Sequence, residues 1–266
     1  MKACSVFSVF FALGLISAAT AGPEIYDPLE VYKKQNTLSV RPIRETVTSG
    51  GVTESARFTY DGNLLSRVDY FGQKDVPAGY SLFEYENGVL AHEQLFDGAG
   101  KLTEDIRYQY KQNRLQKSLI HDVRGAAKIE WQYVYDKEGN LVAGKRLIAG
   151  KPTESFKLVR TTGGVTQNIY NAKGELTSRV ESVMEKGVLL SRMKTGLLGA
   201  RYAEYKYNEK KLLIEIIYHD TVRGEKTFVK KHHFDYSLQR DAARQVGAGK
   251  AGKYVGRSPT YLSGML

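Results

Sequence analysis

The segment Gly247-Ala248-Gly249-Lys250-Ala251-Gly252-Lys253-Tyr254 has the spacing of a dinucleotide-binding GxGxxG and most of a phosphate-binding GxxxxGK. In both, glycines let backbone amides approach a phosphate, and in the second a lysine neutralises it. Neither motif has its required setting. A phosphate loop needs Ser or Thr after the lysine to hold magnesium, where this chain has Tyr254, and the 12 residues that follow, Pro259 among them, are too few for a βαβ unit. The segment reads as a loosely held basic tail. The five histidines, His92, His121, His219, His232 and His233, show no metal-ligand spacing. His121-Asp122 and His219-Asp220 each end a strand-like run, where Asp commonly bonds the turn backbone. No serine stands in a Gly-x-Ser-x-Gly elbow, and no carboxylate pair rises above an ordinary polar strand face. A noncatalytic protein without cofactor or metal is expected. Catalytic groups assembled only by folding would leave no such trace.

The elements that would position any site are set by a repeat. Tyr60, Tyr85, Tyr110 and Tyr135 stand 25 residues apart, each running into a turn and then a leucine or valine. Gly62, Gly88 and Gly139 mark three of those turns, where glycine and asparagine tolerate the positive φ of a tight hairpin. Around the tyrosines apolar and polar residues alternate: Ile106, Tyr108 and Tyr110 with Arg107, Gln109 and Lys111; Ile129, Trp131, Tyr133 and Tyr135 with Lys128, Glu130 and Gln132. Strict alternation marks antiparallel strands buried on one face and wet on the other. A fixed period of this length means one small unit copied along the chain, here two strands and two turns. Counting on by 25 reaches Val159 and Arg160, then Met184, then Tyr207, so the period outlasts the tyrosine.

Residues 1–21 read as a secretory signal peptide: Lys2, an apolar run from Val6 to Ile16, and Ala19-Thr20-Ala21 before Gly22. The expected protein is exported, periplasmic or extracellular, with cleavage after Ala21. Cys4, the only cysteine, lies inside that segment, which excludes a disulfide framework, a thiolate metal site and a disulfide-linked partner in the mature chain. The net charge of the whole chain is +10. Residues 201–257 hold 13 basic and 7 acidic residues, so most of the excess lies near the C-terminus.

These signals predict an all-β fold, consecutive antiparallel hairpins forming one extended curved and twisted sheet with short N- and C-terminal capping helices. Residues 22–55 form an N-terminal cap, with Asp27-Pro28 opening a short helix over Leu29 to Lys34, and an incomplete hairpin broken at Pro42 and Ser49-Gly50-Gly51. Residues 56–236 form the array of six to eight hairpins. Residues 237–266 form a short helix, Leu238 to Val246, and the basic tail.

The unit Tyr133-Val134-Tyr135-Asp136-Lys137-Glu138-Gly139-Asn140-Leu141 resembles the tyrosine-aspartate (YD) repeat of rearrangement-hotspot and smaller exported bacterial proteins, and Tyr60-Asp61-Gly62-Asn63-Leu64 is similar with a shorter turn. The third unit has Lys111 and the second Glu86 at the aspartate position. Hairpin variants of the membrane-occupation-and-recognition-nexus (MORN) repeat are the near alternative. The resemblance covers roughly residues 56–220. It implies extended hairpin sheets acting as shells, scaffolds or binding surfaces, and it carries no ligand across, because the matching residues make the turn and pack the sheet. Tyr60, Tyr85, Tyr110 and Tyr135 therefore read as a packing ladder, with a stacking platform for sugars or bases as the functional alternative.

Lys206, Lys210, Lys211, Arg223, Lys226, Lys230 and Lys231 form the candidate anion-contact surface, against the simpler role of edge lysines that discourage sheet-to-sheet aggregation. Expected partners are an anionic envelope polymer, a membrane surface or another envelope protein; nucleic acid is not expected. The function predicted is an exported noncatalytic scaffold or binding surface of the bacterial envelope. The alternatives are an outer-membrane β-barrel, whose polar strand faces would have to line a lumen, and an enzyme with nonlocal catalytic residues.

Overall fold

A computed structural model describes residues 40–121, 127–196, 199–222 and 225–238. Sixteen strands run in chain order: β1 (Val40–Ser49), β2 (Val52–Asp61), β3 (Leu64–Phe71), β4 (Pro77–Glu86), β5 (Val89–Asp97), β6 (Leu102–Lys111), β7 (Arg114–His121) and β8 (Ala127–Tyr135), then β9 (Leu141–Ile148), β10 (Lys151–Thr161), β11 (Gly164–Asn171), β12 (Leu176–Glu185), β13 (Val188–Gly196), β14 (Gly199–Tyr207), β15 (Leu213–Val222) and β16 (Glu225–Leu238). Each pairs antiparallel with its chain neighbours, and β16 pairs with β1 to close a barrel.

Closure overturns the expectation of an open curved sheet. β1 lies against β16 from Val40↔Leu238 to Thr48↔Lys231, with one bulge between Pro42 and Arg44. Pro42 sits at that irregularity, where its missing N–H is tolerated. Pairing the first strand with the last leaves no edge to cap, which is the physical alternative to a capping helix. Among the described residues there is no α-helix, only a three-residue 3-10 turn at Gln73–Asp75. The segments expected to hold capping helices, 29–34 and 239–246, lie outside the described residues, and Leu238 ends β16.

The 25-residue period appears as strand pairs whose first members begin at Val52, Pro77, Leu102, Ala127, Lys151, Leu176, Gly199 and Glu225. Successive turns fall at alternate ends. The tyrosine mouth carries the turns after β2, β4, β6 and their equivalents; the far mouth carries those after β1, β3, β5 and theirs. At the tyrosine mouth, Asn87-Gly88 and Gln112-Asn113 both adopt positive φ, as two-residue hairpin loops require.

In six copies a bulge precedes the ladder residue, which opposes a leucine: Tyr60↔Leu65, Tyr85↔Leu90, Tyr110↔Leu115, Tyr135↔Leu141, Met184↔Leu189 and Tyr207↔Leu213. The tyrosines point into the barrel. Tyr135 Oη donates to Leu115 O at 2.8 Å, Tyr207 to Leu189 O at 2.9 Å and Tyr236 to Leu213 O at 2.6 Å, so each hydroxyl latches its strand to the one before it. Tyr60 does the same to Pro42 O at 2.8 Å. In one of the two copies without tyrosine, Arg160 Nη2 reaches Leu141 O at 3.4 Å. Burial pushes the Tyr60 and Tyr207 phenols up from their ordinary range, which keeps the latching proton in place.

Two apolar clusters fill the interior. One draws Phe58, Leu65, Phe83, Leu90, Leu213 and Phe234 from β2–β5 and β14–β16. The other draws Ile106, Trp131, Phe156, Ile169 and Val180 from β6–β12, and Tyr108 packs against both. A 16-stranded barrel of round section encloses an aqueous channel. Here Leu65 and Leu90 are 2% exposed and Val180 0%, so inward side chains cover one another instead of lining water. Gly144 makes room for this packing: a Cβ there would stand 2.3 Å from the Phe156 ring.

Candidate functional site

The interior holds charge as well as hydrocarbon, concentrated at the closing seam. Glu45 on β1 and His232 on β16 meet at 2.6 Å between Oε1 and Nδ1, with side chains 3% and 5% exposed. The Tyr218 ring lies 5.3 Å from the His232 ring, and Lys230 Nζ stands 4.8 Å from the Tyr218 centroid. Glu54 on β2 faces the same side; burial raises its pKa and the Lys230 charge opposes that rise. A second polar group continues along β3–β6: Tyr70 Oη bonds Ser81 Oγ at 2.9 Å, and Tyr108 Oη donates to Glu93 Oε2 at 3.0 Å, Glu93 being 0% exposed. Burial pushes the Tyr70 phenol up, and the Glu93 and Glu45 charges push it the same way.

Chemically, the buried Glu45–His232 contact ties two strands together. Sealed from bulk water, it joins strands 187 residues apart in sequence. A single sequence gives no sign of that pairing: Glu45 and His232 occupy ordinary inward positions on separate strands, and only closure brings them together. The alternation would have placed both on the inner face, had the first and last strands been known to pair. Among the described residues, no group of three or more His, Cys, Asp or Glu is placed to hold a metal ion.

The outer wall is different in kind. Lys117 and Glu130 pair at 2.8 Å, and His92 bridges Glu84 at 3.1 Å and Asp105 at 2.9 Å, with Arg107 also on Asp105 at 3.3 Å. Arg67–Asp69 at 2.7 Å and Lys231–Glu215 at 3.3 Å continue the pattern. The Lys117 hydrogen bond, helped by Gln132, lowers the pKa of Glu130.

The structure does not bring the candidate anion-contact residues together. Lys206 and Lys231 face outward against Glu215, Lys210 and Lys211 occupy a turn at the tyrosine mouth, Lys226 lies at the far mouth beside Tyr202, and Lys230 points inward. Arg223 and the glycine-lysine segment 247–254 lie outside the described residues. Of the turn glycines, Gly62, Gly88 and Gly139 all have positive φ, and a Cβ on Gly139 would strike the Arg114 guanidinium at 2.2 Å. Asp136, the aspartate of the tyrosine-aspartate unit, shapes its turn by accepting from Asn140 N at 2.7 Å and Asn140 Nδ2 at 3.0 Å.

No family model and no curated protein matches the chain. Among solved structures, a porin-like protein from Bacteroides uniformis superposes with a TM-score of 0.52 at 9% identity, covering 74% of this chain and 98% of that one. A protein with unknown function from Bacteroides fragilis aligns over 66% of this chain and 88% of its own at 10% identity, but its TM-score of 0.16 supports no argument. The chain is a closed antiparallel β-barrel similar in fold to that porin-like structure, and closure agrees with the barrel alternative rather than with an open repeat scaffold.

Proposed function

We propose that this is an exported, noncatalytic barrel of the bacterial envelope whose outer wall stands in water and whose surface makes contacts with envelope components. The observation that carries the reading is the direction of the charges. Lys117–Glu130, His92–Asp105 and Arg179–Glu181 lie on the outside near mid-height of their strands, while Leu65, Leu90, Val180 and Phe156 are buried on the inner face. A lipid-facing wall needs the reverse, because each Arg or Lys at the bilayer midplane costs about 2–4 kcal/mol. The tyrosine-aspartate resemblance supports the envelope setting, with the repeat rolled into a shell, and the signal-like residues 1–21 support export.

A second reading, an outer-membrane barrel, is favoured by closure with an even number of strands and by the porin-like fold. Fractionation separates the two. A water-facing barrel leaves the envelope fraction without detergent and elutes as a discrete species in aqueous buffer. A requirement for detergent at every step, with heat-modifiable migration on a gel, would reject the water-facing wall in favour of the membrane barrel.

A further inference from the structure

We propose that the far mouth docks end-on against a bilayer surface carrying anionic headgroups; this rests on the water-facing reading of the wall. Among the described residues, six aromatic side chains face outward, Phe71, Tyr80, Phe96, Tyr170, Tyr202 and Phe228, and each lies within four residues of its strand's far-mouth end. At about 3.3 Å per residue they occupy a collar roughly 13 Å deep. Every other described Phe, Tyr or Trp on a strand faces inward. The collar spreads over β3, β4, β5, β11, β14 and β16, on widely separated parts of the circumference.

That spread selects the partner. A protein would cover one arc of the wall, whereas a plane perpendicular to the barrel axis meets the whole rim at once. The tyrosine mouth provides the contrast: its exposed apolar residues, Val134 at 52%, Val159 at 51%, Val183 at 50%, Ile43 at 42% and Leu190 at 37%, are all aliphatic, and no aromatic ring faces outward there. The collar also has the chemistry of a membrane interface, where amphipathic rings sit at headgroup level and long cationic side chains reach past them. Arg57 lies 4.4 Å from the Phe71 ring centroid, Arg67 4.1 Å from Tyr80, Lys226 4.9 Å from Tyr202 and Lys157 6.0 Å from Tyr170. Tyr80 and Phe96 stack at 4.6 Å. Apolar area at this rim is exposed, at 49% for Phe228, 51% for Leu176 and 60% for Val76. Cations held over these rings supply the attraction to anionic headgroups.

The test uses the full chain, purified without detergent, in flotation with phosphatidylethanolamine vesicles with and without phosphatidylglycerol. Wild type should float with the anionic vesicles, and combined Phe71→Ser, Tyr80→Ser and Phe228→Ser should reduce the floated fraction at least tenfold. Combined Val134→Ser, Val159→Ser and Val183→Ser should leave it unchanged. Phe228→Trp gives a readout independent of the triple variant's folding: its emission should shift to the blue on vesicles and be quenched by brominated lipid. Wild type remaining with the soluble fraction, or an unshifted Phe228→Trp spectrum, would overturn the proposal while leaving the water-facing wall intact. Loss of binding through the valines alone would also overturn it and would place the contact at the other mouth.

Discussion

The two faces of one wall follow opposite rules, and β12 shows both within four residues. Val180 points inward, is 0% exposed and packs with Ile169 and Phe156, whereas Val183 points outward and is 50% exposed. The inner face is bound by hydrocarbon contact and by hydroxyls that latch one strand to the next. The outer face carries ion pairs such as Lys117–Glu130 and His92–Asp105. Polar residues are present on both faces, and inside they include the buried contacts Glu45–His232 and Tyr108–Glu93. The difference shows that hydrocarbon contact dominates the inner face and paired charge the outer one.

The contrast is broken most severely by charge on the inner face. Val180→Asp, leaving a buried charge without a partner, should cost about 3–5 kcal/mol or prevent folding, while Val183→Asp should stay within about 0.5 kcal/mol of wild type. Urea midpoints of the two variants check this; equal midpoints would mean the faces are not distinct.

Next in size is overpacking. Gly144→Ala drives a methyl against the Phe156 ring and should cost about 1–3 kcal/mol, whereas a Cβ at Gly163 meets nothing within 4 Å, so Gly163→Ala should be nearly neutral. Smaller still is the latch. Tyr135→Phe removes the bond to Leu115 O and should cost about 1 kcal/mol, and Arg160→Met, at an exposed and longer version of the same bond, should cost less. Thermal melts that rank these two in the opposite order would refute the latch as the reason for the repeat's tyrosine.

The smallest effect belongs to the outer ion pairs. The pKa of Glu130 is lowered by Lys117, and that of Asp105 is lowered because His92 and Arg107 outweigh the opposing effect of burial. A carboxylate with a depressed folded pKa contributes stability that is present above the ordinary carboxylate range of about 4 and lost as pH falls through the folded value. Lys117→Met should therefore lower stability at neutral pH by no more than about 1 kcal/mol, and the difference from wild type should vanish near pH 2 to 3. A difference that persists in acid would assign the Lys117 effect to packing of its aliphatic stem.

The strands and their facing were legible because alternation and a fixed period are local. Ile106, Tyr108 and Tyr110 face inward as their spacing requires, and Gly62, Gly88 and Gly139 take the positive φ assigned to them. Closure was not legible. It depends on curvature summed over all sixteen strands and on a pairing between Val40–Ser49 and Glu225–Leu238 that no local pattern encodes. The seam contact Glu45–His232 was hidden for the same reason. The placement of the basic stretch was not legible because proximity along a strand pair is not proximity on a face: Lys230 and Lys231 are adjacent in sequence and point to opposite sides of the wall. The aromatic collar was obscured because the inward tyrosines dominate the pattern; its signal was the few rings that fall out of phase with them.

The water-facing outer wall is tested most directly by solvent access at mid-height. With Cys4 replaced by serine, single cysteines at Lys145 and Glu181, both outward on β9 and β12, can be treated in intact envelope fractions with a charged, membrane-impermeant maleimide. The account predicts that both label as rapidly as a cysteine placed in the turn at Lys186. Protection of Lys145→Cys and Glu181→Cys until detergent is added, with the turn position labelling freely, would contradict it.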